Sequence, residues 1–189
     1  MKAAPFIVVT LSLAWQPRAW ADESYTVDPV HSTVLFGVKH MGCGRLWGRF
    51  NKVSGQFTLN SQNPSASLFQ VSIDPASIDT NNKNRDSHLR ETDFFDAGEF
   101  KKIEFKSQSV KKLDDQALQA DGVLDLHGVA KLITVRIELM GSASDPRRGR
   151  RTGIEATFTL KRSEFGMTFM PEMVGDDIRI IAALEGVSK

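Results

Sequence analysis

The chain has little of what builds a catalytic, metal or nucleic-acid site. It has one cysteine, Cys43, in 189 residues, so no disulfide closes within the chain and the fold must rest on burial. Four histidines, His31, His40, His88 and His127, lie in four separate segments. None forms an H-x-x-x-H pair and no cysteine supports them, which argues against a bound metal. No nucleophile elbow, phosphate-cradling glycine loop, cofactor motif or zinc signature is present, and Ser163 and Thr168 have no visible base. An excess of one charge is lacking too: 24 Lys and Arg face 23 Asp and Glu. Without a clustered basic surplus, nucleic acid is excluded as a partner.

The longest apolar run falls short of the about 20 residues that a membrane helix needs. It covers residues 3–15, follows a positive Lys2 and precedes Ala19-Trp20-Ala21. That order is a secretory signal peptide, residues 1–21, with cleavage after Ala21. Removal of Lys2 and Arg18 would leave 22 basic against 23 acidic residues, a net charge of −1. Cys43 lies too far from the cleavage point to become a lipid-modified first residue. The expectation is a soluble exported protein with one domain, residues 22–189.

What the rest contains is alternation with period two, the mark of half-buried strands. Val34, Phe36 and Val38 share one face; Phe50, Phe57 and Leu59 follow between residues 46 and 59, a region where Gly42, Gly44, Gly48 and Gly55 would permit bulges or sharp bending. Further strands carry Phe69, Val71 and Ile73, then Phe105, then Leu118 to Leu126, then Ile133, Val135, Ile137 and Leu139. The last two carry Ile154, Ala156, Phe158 and Leu160, and Ile178, Ile180, Ala182 and Leu184. About eight antiparallel strands result, each with one greasy face. Closing them into a barrel removes two edges and covers that face, although alternation alone also permits a two-sheet sandwich. The fold class is all-β.

The alternation stops between Asn84 and Asp96, N-K-N-R-D-S-H-L-R-E-T-D-F-F-D beginning at Asn82. This reads as a short helix, with Thr80 a possible cap, plus an irregular loop at the barrel mouth. His40 continues the inward face of its strand to the end, where it would meet a ligand head group or a backbone carbonyl. Arg162 extends the inward register of Phe158 and Leu160 and needs a partner: Asp86, Asp93, Asp96 or an anionic ligand. Arg85, His88 and Arg90 would order the loop or join that head-group site, and Phe94 and Phe95 would pack on the rim. The basic tip, residues 147–151, reads as a solvated hairpin or a transient membrane contact.

These segments resemble the YceI-like family in order along nearly the whole mature chain. The residues that carry the resemblance are Tyr25-Thr-Val-Asp-Pro-Val-His-Ser32, Phe36 with His40, Gly48-Arg-Phe50 and Ser77-Ile-Asp-Thr80. They continue with Arg85-Asp-Ser-His-Leu89, Asp93-Phe-Phe-Asp96, Leu126-His-Gly-Val129, Arg162-Ser-Glu-Phe-Gly-Met167 and Val174-Gly-Asp-Asp-Ile178. Cys43 and the arginine-rich tip fall outside the pattern. The resemblance implies an extended, lipocalin-like, eight-stranded antiparallel β-barrel with a helical element at its mouth. It further implies a periplasmic or secreted carrier, monomer or homodimer, that holds a polyprenyl phosphate, an isoprenoid quinone or a related lipid and needs no cofactor. The inward residues expected to line the tail site are Val34, Phe36, Val38, Phe50, Phe57, Phe69, Val71, Phe105, Leu124, Ile137, Phe158 and Ile180. Two other readings compete: an enzyme acting on such a lipid through His40 or His88, and a filled-barrel stress-response protein.

Overall fold

Among the described residues, alternation becomes eleven β-strands, interrupted by one α-helix of seven residues and three short 3₁₀ turns. The computed structural model describes residues 23–188; the expected signal segment lies outside them. In chain order the elements are β1 (Glu23–Val27), β2 (Thr33–His40), β3 (Gly44–Phe50), β4 (Val53–Leu59), β5 (Leu68–Ile73), β6 (Ile78–Asp79) and α1 (Lys83–Leu89). They continue with β7 (Ile103–Lys112), β8 (Ala117–Leu126), β9 (Val129–Asp145), β10 (Gly149–Lys161) and β11 (Val174–Ser188). Every pairing is antiparallel.

Several of these strands are halves of one. β1 and β2 pair with successive stretches of β11, Thr26 opposite Val187 and Val34 opposite Ala182. β4 continues β3, and β6 continues β5 to reach β3 at Phe50. Taken so, eight strands run around the molecule, and the β1–β11 pairing closes them into a barrel. Closure leaves no continuous free edge and turns the apolar faces onto a shared interior; it excludes the sandwich.

Of the two roles expected of the glycines, Gly42 serves the bend, at φ +69° in the β2–β3 turn, and none marks a bulge. No register shift occurs in the β2–β3 or β4–β5 pairings. Gly48 instead makes room for Phe36: a Cβ there would lie 2.3 Å from the ring edge. Gly55 has φ +152° and presses on the backbone of Gln70, a place no other residue fits. The bulges fall elsewhere, at Gln108 in β7, Met140 in β9 and the start of β11. The helix cap also moves. Asn82, not Thr80, accepts the Arg85 backbone N–H at 3.0 Å. The basic tip shrinks to residues 146–148, because Arg150 and Arg151 belong to β10.

On the outer wall, the break between β1 and β2 is tied down by Asp28. Its carboxylate accepts from His31 Nδ1 (3.0 Å), Arg151 Nη1 (2.9 Å) and the Val30 N–H (3.0 Å). Arg151 also donates to Asp145 and Glu185. His31 first, then Arg151, hold the Asp28 pKa well below the ordinary carboxylate range. The arginines of the basic tip are thus largely spent within the molecule.

The connections segregate. The β2–β3 turn, the excursion between β6 and β7, the β8–β9 turn and the β10–β11 loop share one end. The β4–β5, β7–β8 and β9–β10 connections share the other. Among the described residues no helix is long and apolar enough to cross a membrane.

Candidate functional site: an apolar cavity behind the excursion

The inward faces of β2, β8, β10 and β11 leave space between them at the excursion end. A cavity of about 120 Å³ lies there, and a second of about 70 Å³ sits deeper along the barrel. Both are lined by Val34, Ile73, Ile103, Leu124, Phe158 and Ile180, so they form one apolar tract. The upper part adds Phe36, Val38 and Phe50 from β2 and β3; the lower part adds Phe69, Val71, Phe105 and Ile137. Eleven of the twelve inward residues expected from register therefore face the tract. Phe57 does not. It is buried beyond the tract's lower end, stacked on Tyr25 at 5.1 Å and Phe69 at 6.2 Å, and serves as floor. Burial, then the hydrogen bond to Glu23, pushes the Tyr25 pKa up to about 12, so the floor stays uncharged.

The roof is the excursion. Leu89, Phe94 and Phe95 line the cavity from above, with Phe95 edge-on to Phe50 at 5.5 Å. Its charged residues do not reach the cavity; they fold the segment onto β6. Arg85 donates to the Thr80 hydroxyl and carbonyl, both at 2.7 Å, and buried Asp86 accepts from the Thr80 N–H and hydroxyl. Arg90 donates to the carbonyls of Ala76 and Ile78. The expected head-group role of Arg85 and Arg90 gives way to these backbone ties, since each guanidinium satisfies carbonyls that no strand pairs. His88 is half-exposed, bonded to Asp93 at 3.0 Å, and lies outside the cavity lining. Its ring meets Phe94 at 5.0 Å and Phe169 at 5.6 Å, and Phe94 meets Phe169 at 5.5 Å. Three rings thus join the excursion to the β10–β11 loop across the mouth.

His40 and Arg162 correct the register argument in different ways. His40 is exposed and absent from the lining; β2 passes the rim before His40 is reached. Arg162 does line the cavity and is buried, the one charged side chain there. Its partner is neither acid nor vacancy: Nη1, Nη2 and Nε donate to the carbonyls of Met167 (2.7 Å), Val174 (2.8 Å) and Gly175 (3.1 Å). Asp86 and Asp93 are taken by Thr80 and His88. Burial pushes the Arg162 pKa down, partly offset by nearby Asp176, but a guanidinium stays charged. The cavity therefore has a fixed cation at its mouth end, with two of its five N–H donors not engaged by the described residues.

Register missed several lining residues. Ile178 and Leu160 share the apolar faces of Ile180 and Phe158, and the tract reaches these mouth-end positions as well. Met167 and Val174 come from the β10–β11 connection, where no period exists.

Comparison with known proteins agrees with this geometry. The family model of the YceI-like domain matches residues 25–186. A UPF0312 protein of Pseudomonas paraeruginosa is 36% identical over 167 residues, 88% of this chain and 87% of that protein. Protein YceI of Salmonella arizonae is 38% identical over 159 residues, covering 84% and 83%. Among solved structures, Burkholderia cenocepacia BcnA superposes with a TM-score of 0.77 at 23% identity, covering 84% of this chain and 98% of that one. A polyisoprenoid binding domain from Saccharophagus degradans, implicated in plant cell wall breakdown, gives 0.68 at 14% identity, covering 88% and 99%. The two structures share the barrel, and the family model over residues 25–186 together with the 36% and 38% identical relatives shows the lineage: the chain belongs to the YceI-like family.

Proposed function

We propose that the protein is an exported carrier that holds an isoprenoid amphiphile in its barrel, tail along the axis and head group at the excursion end. The observation that carries this reading is the composition of the tract: apolar side chains over its whole length and a single cation, Arg162, at the mouth. A filled barrel would have no such space. Burying hydrocarbon contributes about 0.8 kcal/mol per CH₂-sized group, so one isoprene unit contributes about 4 kcal/mol gross. A few buried units already match the roughly 12 kcal/mol of a nanomolar complex before ordering costs are subtracted. A charge-assisted bond from Arg162 to a phosphate or quinone oxygen adds about 1.5–3 kcal/mol and sets orientation. The structural relative described as a polyisoprenoid binding domain supports the same ligand class. The reading is of a binding module: the one His–Asp pair of the mouth, His88–Asp93, faces away from the lining. Export to the periplasm rests on residues 1–21.

The test is uptake of a polyprenyl phosphate by purified protein. Saturable one-to-one uptake is expected, and Phe158→Asp, which puts a charge midway along the tract, should abolish it while the barrel stays folded. Undiminished uptake by folded Phe158→Asp would remove the ligand from the barrel.

A further inference from the structure

We propose that the excursion end of the barrel docks on an anionic lipid bilayer through the β2–β3 hairpin. On the outer wall, Arg179, Gly37 and Trp47 stand in one cross-strand row, and Lys39 and Arg45 in the next row toward the mouth. Trp47 is 44% exposed and lies over Gly37, and the Arg45 guanidinium sits 5.9 Å from its ring centroid. Lys39, Arg45 and Arg179 are all exposed. Among the described residues no carboxylate pairs with any of the three. Of the carboxylates on this part of the wall and its loop, Asp177 stands opposite Lys161, Asp176 accepts from the Ser163 N–H and hydroxyl, and Glu172 is exposed beside Met173. Beyond the rows, the turn carries Met41 at 59% exposure with φ +51°, a backbone state that asparagine or glycine would hold with less strain. Its N–H donates to the Met173 carbonyl at 2.8 Å, so half-exposed Met173 and Phe169 of the neighbouring loop extend the same apolar rim.

The spacing fits an interface. At about 3.3 Å per residue, the Lys39–Arg45 row lies about 7 Å behind the Met41 tip and the Trp47 row about 13 Å behind it. An apolar tip entering the headgroup–acyl boundary by about 5–10 Å therefore places the cations and the tryptophan at headgroup level, where both are favoured. The arginine-rich tip is the poorer candidate. It lies at the opposite end, and Arg148, Arg150 and Arg151 already meet Asp28, Glu23, Asp145 and Glu185. Docking would turn the cavity mouth toward the membrane that stores an isoprenoid ligand; that consequence rests on the proposed function, whereas the docking itself does not.

The test is flotation of purified protein with phosphatidylcholine vesicles, with and without phosphatidylglycerol, read also by tryptophan fluorescence. The mature protein, residues 22–189, is used, in which Trp47 is the only tryptophan, and Trp47→Phe supplies the blank. Binding should require phosphatidylglycerol, weaken as salt is raised, and shift Trp47 emission to the blue. Lys39→Gln/Arg45→Gln/Arg179→Gln should lower the partition coefficient on the order of 100-fold, about fivefold per cation, whereas Arg147→Gln/Arg148→Gln should leave it unchanged. Indifference of the wild type to anionic vesicles, equal binding by the triple variant, or loss on changing residues 147 and 148 would each overturn the proposal. So would a dimer that the triple variant dissolves without any vesicle binding. Uptake of detergent-dispersed polyprenyl phosphate, measured in parallel without vesicles, reports on the carrier reading separately.

Discussion

Arg162 carries its charge into an apolar wall because three carbonyl oxygens replace the water it gives up. Those carbonyls belong to the β10–β11 connection, so the side chain folds the mouth loop as well as charging the cavity. Arg162→Met should leave three buried acceptors without donors and destabilise the protein by about 3 kcal/mol or more, measurable by urea unfolding. Arg162→Lys should recover part of this only, since an ammonium cannot reproduce the planar fork. The position of this residue was legible, because it continues the inward register of β10 one residue past the strand end. Its partners were not: backbone carbonyls of a loop carry no pattern, and the nearby aspartates of the excursion looked like the natural counter-ions. Asp86 and Asp93 turned out to be engaged by Thr80 and His88 within their own segment.

The excursion is a roof because its charges are spent on itself. Arg85, Asp86 and Arg90 tie α1 and the following loop to Thr80 and β6, which frees Leu89, Phe94 and Phe95 to face the cavity. What joins roof to wall at the mouth is the ring cluster of His88, Phe94 and Phe169. Phe169→Ala removes two ring contacts, each worth about 0.5–1.5 kcal/mol beyond its buried area. It should speed release of a loaded lipid about tenfold or more while leaving thermal stability within a few degrees; release is followed by transfer to empty protein or vesicles. An unchanged release rate would mean that the lipid leaves by another route. The interruption of alternation marked this element in the sequence, and the paired phenylalanines marked its greasy side. Phe169 was not legible, for it lies in a loop far along the chain and meets His88 only after closure.

Closure is the property of the whole molecule. Alternation predicted the eight-strand count, and the need to remove edges predicted the barrel; β1–β11 pairing supplies it. The break between β1 and β2 has to be held for that seam to close, and Asp28 holds it. The folded-state pKa of Asp28 is below its unfolded value near 3.9, so the unfolded chain binds more protons in acid. Stability from this contact is complete above about pH 4 and is lost as pH falls toward the folded pKa. Thermal melting points measured between neutral and acid pH should show this decline, and Asp28→Asn should be less stable at neutral pH with a flatter acid limb.

The proposed role of this closed barrel is to hold an isoprenoid lipid one to one. Its most direct test is the mass of the intact protein, purified from cells and sprayed under native conditions, followed by organic extraction of the same sample. A single added mass per chain is expected, disappearing on extraction and reappearing as an isoprenoid in the organic phase. Protein that is empty as purified and stays empty after incubation with polyprenyl phosphate would contradict it.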